Sequence, residues 1–392
     1  MSVRTGLSRL DSGRVRLPGH RIGLVCNQAT IDDNAVHILD ALLPSHREGR
    51  FEIAAVFGPQ HGIWGHTQDN MIEWEGYRDA RTGIPFHSLY GEHREPTDAM
   101  LEGIDLLVVD LPDIGTRYYT FLWTLALCMK ACERLGIPVL VLDRPNPIGG
   151  HIVDGTVLDP AFASFVGLYP LPMRHGMTLG EFAGYVRETF FPKCRLEVLE
   201  VEGWQRRQWF DETGLFWAMP SPNMPSPETA LVYPGMCLIE GTRLSEGRGT
   251  TRPFEIFGAP YIDGWDLADK LNAAGLPGVV FRPIQFQPTF QKYAGEVCEG
   301  CFVHVTDRER YPSVLVAVAV LCQIVEDYRR DFRWLDPPYE YEYEKMPIDI
   351  LAGNAWLREA VEAGTPLKQI DERMAAERDS FEETRRRFLV YR

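Results

Sequence analysis

Two carboxylates three positions apart, Asp110 and Asp113, begin the densest group of polar residues in the sequence, and Arg117 and Tyr118 follow them. Two carboxyl groups held close together do not both ionise easily, so one can stay protonated while the other stays charged. That combination suits acid–base catalysis, and an arginine suits the binding of an anionic ligand. The plainer alternative is that one aspartate caps the next helix and pairs with Arg117. We expect the other to act on a substrate.

A glycine-bracketed turn supplies a second polar group, in which Gln60 and His61 lie between Gly58 and Gly62. The imidazole of a histidine can transfer or orient a proton near neutral pH. A glutamine amide does not titrate and can only form hydrogen bonds. An ordinary turn between a strand and a helix is the alternative, but two adjacent polar side chains at a strand end favour a functional site.

The third group lies in a long stretch rich in Gly, Pro, Ser and Thr, residues 217–260. Glu246 and Arg248 alternate with glycines there, so the backbone can approach a ligand closely, and the arginine fork suits a ligand carboxylate. Long loops of this kind are usually functional or mobile. His175 and Asn223, in two other polar turns, are further candidates for binding a sugar, although each of them alone is more often structural.

These groups need a scaffold that brings them together, and the first 150 residues predict one. Apolar runs typical of strands at 21–26, 51–57, 106–110 and 139–143 alternate with helical patterns near 35–43 and 119–135. This alternation predicts a parallel sheet covered by helices, and ligands bind at the carboxyl ends of such strands. Asn27, Gln60 and Asp110 each come at the end of a different predicted strand. We therefore expect one polar cleft along that edge.

The chain is long enough for two domains, since a single hydrophobic core stops growing at about 250–300 residues. A Pro- and Gly-rich segment at 145–150 ends the alternating pattern. Beyond it the sequence predicts a helix after Thr178, strands at 196–201 and 301–305, a helix at 265–274 and further helices from residue 311. The predicted architecture is a Rossmann-like α/β domain at 1–155 and an α+β auxiliary domain at 156–392, with the cleft between them.

Composition excludes several classes of function. A net charge of −15 disfavours a nucleic-acid partner. Residues 1–17 lack the apolar run of a signal peptide, and the apolar stretch 314–322 is too short to span a membrane, so we expect a cytoplasmic protein without a membrane partner. The eight cysteines are scattered, and Cys298, Cys301 and His304 are predicted to be structural. Nucleotide-binding fingerprints are absent, so neither a metal nor a nucleotide cofactor is predicted.

Several stretches of the sequence resemble the NamZ-type exo-β-N-acetylmuramidases, nearly from end to end. They are residues 88–91, 110–120, 142–150, 165–170, 174–178, 221–225 and 244–251. The resemblance implies a Rossmann-like N-terminal domain, a C-terminal auxiliary domain and a cleft between them. It also implies hydrolysis of a β-1,4 bond, without metal or nucleotide, that releases N-acetylmuramic acid from the non-reducing end of peptidoglycan fragments. The expected partner is a small muro-sugar or peptidoglycan fragment, and the oligomeric state stays open.

One difference from this family bears on catalysis. The family commonly has the motif Ser-Pro-Glu-His-Gly, and this chain has Gln60 where the motif has glutamate. If that glutamate donates a proton, the amide of Gln60 cannot replace it. Another carboxyl is then the expected acid, with Asp113 first, followed by Glu246 and Glu73.

Two interpretations follow from Gln60. If the acetamido group of the substrate attacks the sugar carbon, one protein acid and one orienting group suffice, and Gln60 can be the orienting group. If no other carboxyl replaces the acid, the protein is a catalytically altered or inactive muro-sugar-binding protein of the same fold. In either case we expect Arg248, Arg117 or both to bind the lactyl carboxylate, because the protein as a whole is negatively charged.

Overall fold

A seven-stranded sheet organises the fold. The computed structural model of the protein describes residues 2–11, 17, 19–69 and 71–392. The strands are β1 (Arg21–Val25), β2 (Glu52–Gly58), β3 (Tyr77–Arg78), β4 (Pro85–Ser88), β5 (Leu106–Val109), β6 (Val139–Leu142), β7 (Asp154–Val157), β8 (Pro172–Arg174), β9 (Leu196–Leu199), β10 (Ile256–Ala259), β11 (Val279–Phe286) and β12 (Cys298–Val305). The helices are α1 (Gly6–Asp11), α2 (Ile38–Arg47), α3 (Phe121–Leu135), α4 (Leu179–Thr189), α5 (Pro227–Met236), α6 (Gly264–Ala273), α7 (Ser313–Asp327), α8 (Pro347–Ala352), α9 (Trp356–Glu362) and α10 (Leu367–Arg385).

The large sheet has the strand order β3-β4-β2-β1-β5-β6-β9. Its strands are parallel except β3, which pairs with β4 in the antiparallel sense. β5 and β6 are buried along their whole length, as expected of parallel strands covered on both faces. The four strands predicted for the first part of the chain correspond to β1, β2, β5 and β6, and the predicted α/β fold class is confirmed.

The position of β1 determines where a ligand can bind. β1 pairs with β2 on one side and with β5 on the other, so the order of the strands reverses there. Parallel sheets of this kind bind ligands outside the carboxyl ends of the strands at such a reversal. The residues that follow β1, β2 and β5 therefore lie along the edge where the sequence predicts a site.

The later part of the chain differs from the prediction in two respects. β9 joins the large sheet beside β6, so that sheet takes a strand from beyond the predicted boundary at residue 155. The stretch 217–260, predicted as a loop, contains α5 and β10. Its prolines favoured the loop prediction, but Pro227 lies in the first turn of α5, where a proline is well tolerated.

The two parts of the chain share one hydrophobic core, which extends from Leu7 to Phe388. The apolar stretch at 314–322 lies within α7, whose side chains are mostly buried. No helix in the described parts of the chain combines the length and the apolar character needed to cross a membrane. All eight cysteines are free thiols, and Cys298 and Cys301 are buried in β12. Within the described residues, no group of three or more His, Cys, Asp or Glu side chains is arranged to hold a metal ion.

Candidate active site

A narrow pocket lies where the carboxyl ends of the strands meet the C-terminal part of the chain. Its lining includes Gln60, His61, Tyr118, Tyr119, Thr120, Asn223, Tyr233, Glu240, Arg248, Tyr339 and Glu340. The turn after β2, the residues before α3 and two segments of the later half of the chain thus face one cavity. The cavity volume is about 30 Å³, which is enough for ordered water but not for a sugar ring.

The turn after β2 brings the side chain of Gln60 into this pocket, where both ends of its amide are bonded. Thr120 Oγ1 donates to Gln60 Oε1 at 2.8 Å. Gln60 Nε2 donates to the Tyr90 hydroxyl oxygen at 3.1 Å and lies 3.5 Å from Glu340 Oε1. The Tyr90 hydroxyl gives its proton to Glu340, so its oxygen accepts from the amide, and the NH₂ group of Gln60 therefore points toward Tyr90 and Glu340.

Glu340 faces Gln60 from a tight turn in which Glu340 and Tyr341 have φ values of 45° and 66°. Residues other than glycine rarely adopt this left-handed conformation, which costs about 1–3 kcal/mol for each residue and is found most often at functional sites. Tyr90 donates its hydroxyl proton to Glu340 Oε2 at 2.7 Å. Glu340 is 4% exposed. Burial raises the pKa of its carboxyl group to about 7, and the negative charge of Glu240 acts in the same direction.

Arg248 belongs to a row of buried charges beside the pocket. Its Nη2 lies 2.5 Å from Glu240 Oε1, and its Nε lies 3.3 Å from Glu246 Oε1. Lys292 Nζ lies 2.8 Å from Glu246 Oε2, and the Tyr339 hydroxyl donates to Glu240 Oε2 at 2.6 Å. Although burial alone would raise it, the guanidinium of Arg248 holds the pKa of Glu240 below its usual value. Two cations therefore balance two carboxylates in this row.

The glycines beside Arg248 are required by the packing of the loop. Gly247 and Gly249 both have φ values of 80°. A Cβ atom would lie 2.7 Å from the carbonyl oxygen of Arg252 at Gly247, and 2.6 Å from that of Phe290 at Gly249. The sequence predicted that these glycines let the backbone approach a ligand. The close approach is instead to neighbouring backbone, and it positions Arg248 at the pocket.

His61 lines the pocket as a neutral ring. Its Nδ1 lies 2.8 Å from the Thr67 carbonyl oxygen, so this nitrogen donates a proton and Nε2 is left as an acceptor. Burial lowers the pKa of His61 to about 4, and the positive charge of Arg248 acts in the same direction. At neutral pH the ring can therefore accept a hydrogen bond through Nε2, while its one N–H is bonded to the Thr67 carbonyl oxygen.

Two of the predicted binding residues line the pocket and use their polar groups within the protein. The Tyr118 hydroxyl donates to the Pro234 carbonyl oxygen. Asn223 Nδ2 donates to the Gln68 carbonyl oxygen at 3.0 Å. The second contact attaches the segment that follows Gln60 and His61 to the opposite wall of the pocket.

Three other predicted binding residues hold the fold together outside the pocket. Asp110 receives hydrogen bonds of 2.5 and 2.9 Å from Arg144, and Asn27 Nδ2 donates to the Pro220 carbonyl oxygen at 2.9 Å. The guanidinium of Arg117 is buried and donates to three main-chain carbonyl oxygens at 2.5 to 2.9 Å. The expectation that Arg117 binds the lactyl carboxylate does not fit this placement, because the protein encloses the guanidinium.

The three carboxyls predicted as the acid are not brought together. Asp113 lines a neighbouring crevice near the ends of β1 and β5, and its Oδ2 lies 3.3 Å from Nε2 of His175. Glu73 is half exposed and lies 3.8 Å from Arg94. Glu246 is buried beside Arg248, which pairs with it. Asp113 and Glu73 thus lie outside the pocket lining, and Glu246 is part of the row of charges.

Sequence reasoning missed Glu340, Tyr90, Thr120 and Glu240. Tyr90 and Thr120 lie in the family-like stretches 88–91 and 110–120, so the resemblance contained a signal for them. Glu240 begins the polar run that continues to Thr251. Glu340 had no comparable signal, because tyrosine and glutamate alternate over 339–344, a pattern typical of a half-exposed segment.

Comparison with known proteins identifies the family. Models described as the N-terminal and C-terminal parts of exo-β-N-acetylmuramidase NamZ match residues 22–228 and 231–391. The chain is 42% identical over 390 residues to the peptidoglycan β-N-acetylmuramidase NamZ of Bacillus subtilis (strain 168), with 99% of this chain and 91% of that protein covered. Two crystal structures of DUF1343 family proteins from Bacteroides fragilis NCTC 9343 match 100% of this chain and 99% of their own, with TM-scores of 0.87 and 0.76 at 29% and 26% identity. The chain therefore belongs to the NamZ family of exo-β-N-acetylmuramidases.

Proposed function

We propose that the protein removes N-acetylmuramic acid from the non-reducing end of peptidoglycan fragments by hydrolysing a β-1,4 bond. The name of the Bacillus subtilis relative supports this substrate class. The structural observation that carries the proposal is the pocket at the carboxyl ends of the strands, in which carboxyl groups, an arginine and tyrosine rings face one cavity. Polar groups that converge within a partly aromatic lining orient a small ligand and give it specificity.

The cavity is smaller than a sugar ring, so part of its wall must move when the substrate binds. Side chains of three residues attach the segment after His61 to the rest of the wall. Asn223 bonds to Gln68, Gln291 to Asp69, and the Tyr341 hydroxyl to the Met71 carbonyl oxygen.

Gln60 and Arg248 are the predicted site residues whose positions suit the reaction best. The fixed amide of Gln60 can orient a substrate or a catalytic carboxyl by donating a hydrogen bond. Arg248 is the remaining candidate for the lactyl carboxylate, although Glu240 and Glu246 already share its charge. Arg248→Ala should therefore raise KM for a muramyl substrate more than for the same substrate without the lactyl group. Equal losses on both substrates would show that this arginine is structural.

The test of the function compares two disaccharides that differ in the lactyl group. The purified protein should release sugar from the one with N-acetylmuramic acid at its non-reducing end and leave the one with N-acetylglucosamine there uncut, as measured by chromatography of the products. Cleavage of the glucosaminyl disaccharide alone would contradict the substrate assignment.

A muro-sugar-binding protein without turnover is the second candidate, and Gln60 is the observation that favours it, because an amide cannot donate the proton of a glutamic acid. Tight binding of the muramyl disaccharide in calorimetry, together with no product after long incubation, would support this candidate. Any turnover that depends on the pocket residues excludes it.

We also propose that the protein acts on small fragments in the cytoplasm. Its eight cysteines are free thiols, seven of them buried, which suits a reducing compartment. Fractionation of the producing cells tests this location. Recovery of the protein in the medium or outside the cell membrane would contradict it.

A further inference from the structure

We propose that Glu340 is the general acid of this reaction, and that Tyr90 and Gln60 hold its carboxyl group in position. This role rests on the proposed function, because the proton would pass to the glycosidic oxygen of the bound muro-sugar. Glu340 lines the pocket together with Gln60. It comes from the C-terminal part of the chain, 250 positions from Tyr90, so the site is complete only when both parts of the chain have folded together.

The two oxygens of the Glu340 carboxyl group are placed differently. Oε2 accepts the Tyr90 hydroxyl at 2.7 Å, a hydrogen bond of ordinary length that fixes this oxygen. Oε1 lies 3.5 Å from Gln60 Nε2, a distance at which the interaction is weak. Oε1 is therefore the oxygen that can carry a proton and donate it into the pocket. Thr120 supports this arrangement indirectly, since it fixes the amide of Gln60 at 2.8 Å.

The other carboxyl groups near the pocket are engaged by cations. Glu240 pairs with Arg248, and Glu246 pairs with both Arg248 and Lys292. The described hydrogen-bond partners of Glu340, Tyr90 and Gln60, are neutral. A buried carboxyl group without a cationic partner keeps its proton to higher pH than a paired one.

The charged and titratable groups around Glu340 come from three parts of the fold. Tyr90 follows β4, Glu240 and Arg248 lie between α5 and β10, and Tyr341 is the next residue in the chain. Burial and the charge of Glu240 raise the pKa of Glu340, the hydrogen bonds from Tyr90 and Gln60 and the charge of Arg248 oppose this rise, and the net result is a pKa of about 7. A large fraction of the molecules therefore holds a protonated Glu340 at neutral pH, as a general acid requires.

The proton transfer balances over one turnover. The proton on Glu340 passes to the glycosidic oxygen while the bond from that oxygen to C1 of the muramyl sugar breaks, and the leaving sugar departs as an alcohol with the bonding electron pair. Water then supplies the oxygen that bonds to C1. The proton that this water loses returns to the Glu340 carboxylate, which restores the acid.

Glu340→Gln tests the role with two muramyl substrates, a disaccharide whose leaving group is a sugar and an aryl muramide with a nitrophenolate leaving group. The sugar needs a proton to depart and the nitrophenolate does not. The variant should therefore lose about 10²- to 10⁴-fold of the kcat on the disaccharide and keep most of the kcat on the aryl muramide. Glu344→Gln is the matched control, because Glu344 is an exposed carboxyl on the same segment, and it should change neither rate.

The pH profile of the unaltered protein gives a second measurement that does not depend on the folding of a variant. For the disaccharide, kcat/KM should fall as the pH rises through about 7, the value to which burial raises the pKa of Glu340. For the aryl muramide this fall should be weak. Equal profiles for the two substrates, or a Glu340→Gln variant with an unchanged disaccharide rate, would overturn the role of Glu340 and leave the proposed function standing. If the unaltered protein cleaves neither substrate, the proposed function itself fails, and the role fails with it.

Discussion

Two buried carboxylates lie near the carboxyl ends of the strands, and they differ in what surrounds them. Asp110, at the end of β5, is 0% exposed and receives two hydrogen bonds from Arg144. Glu340, which the C-terminal part of the chain brings to the end of β2, is 4% exposed and bonds to neutral partners, Tyr90 and Gln60. The two side chains share burial but not neutralisation by a cation.

This difference separates a structural carboxylate from a reactive one. Burial raises the pKa of both carboxyl groups. At Asp110 the charge and the hydrogen bonds of Arg144 oppose this rise and join two segments, whereas at Glu340, whose described hydrogen-bond partners are neutral, the pKa reaches about 7. Asp110 has the position that the sequence predicts for a functional residue, at the end of a buried strand. Its bond to Arg144 gives it a structural role instead, so the partner of a buried carboxylate is more informative than its position.

The largest effect on stability is expected for Arg144→Met. The variant leaves Asp110 buried without its cation, which typically costs about 3–5 kcal/mol of the free energy of unfolding. Arg144 does not line the pocket of Gln60 and Glu340, so the rate for each folded molecule should change little. Denaturant unfolding at pH 7 and turnover of the muramyl disaccharide measure the two quantities.

Arg134→Met is the matched control, because Arg134 pairs with Glu95 and Asp98 on the surface with its side chain 46% exposed. Exposed ion pairs contribute about 0–1 kcal/mol. If the two variants lost equal stability, the buried pair of Arg144 and Asp110 would stabilise the fold no more than an exposed ion pair does.

A somewhat smaller effect is expected for the pH dependence of stability in Glu340→Gln. Burial raises the pKa of Glu340 from the ordinary 4.5 to about 7, so the folded state binds the proton more tightly than the unfolded state. The stability linked to this proton is present below pH 4.5 and is lost as the pH rises through 7. Glutamine is neutral throughout. As the pH rises from acid values to pH 8.5, the free energy of unfolding of the variant should therefore increase by up to roughly 3 kcal/mol relative to that of the unaltered protein.

Denaturant unfolding of both proteins across this pH range measures the gain, and Glu344→Gln serves as the control that should follow the unaltered protein. If Glu340→Gln and the unaltered protein lost stability in parallel, Glu340 would be as well neutralised as Asp110. The contrast between the two carboxylates would then disappear.

A smaller effect is expected when Gln60 loses its hydrogen bond from Thr120. Thr120→Val removes the hydroxyl that donates to Gln60 Oε1 at 2.8 Å and leaves that oxygen buried without its donor, at a cost of about 1–3 kcal/mol. The weak hydrogen bond from Gln60 lowers the pKa of Glu340, so a freed amide should let this pKa rise and should shift the alkaline limb of the disaccharide profile slightly to higher pH. Thr124→Val is the control, since the Thr124 hydroxyl donates to the main-chain carbonyl oxygen of Thr120, one turn earlier, and not to Gln60. A shift of equal size in both variants would assign the effect to α3 and not to Gln60.

The parts of the fold that the sequence predicts are those whose burial leaves a pattern along the chain. β5 and β6 are buried on both faces and appear as unbroken apolar runs. β11 was missed because its exposed and buried residues alternate irregularly and Pro283 interrupts it. It is an edge strand of the small sheet, the position in which a proline can be accommodated.

The candidate site could be predicted only where it follows directly from the strands. Gln60 and His61 come at the end of β2, where the sequence predicts a polar turn, and they line the pocket. Glu340 reaches the same pocket through a tertiary contact with Tyr90 across 250 positions, and no local pattern marks it. The sequence also does not show which carboxylates pair with cations in the folded protein. For this reason the sequence alone favours Asp113 over the other carboxyls as the acid.

The smallest effect on catalysis is therefore expected for Asp113→Asn. Asp113 Oδ2 accepts a hydrogen bond from the Gly115 backbone at 2.7 Å and lies 3.3 Å from the His175 ring, in the crevice beside the one that holds Gln60 and Glu340. Asparagine can keep the acceptor toward Gly115 but loses the charge beside His175. We expect a loss of about 1 kcal/mol in stability and similar proportional changes in the rates on the disaccharide and on the aryl muramide, because a residue outside the pocket does not protonate the leaving group. The same pair of substrates used for Glu340→Gln measures this directly. A selective loss of disaccharide cleavage in Asp113→Asn would place the active site at the ends of β1 and β5. The carboxylate beside His175 would then be the reactive group, and the buried carboxyl of Glu340 would be structural.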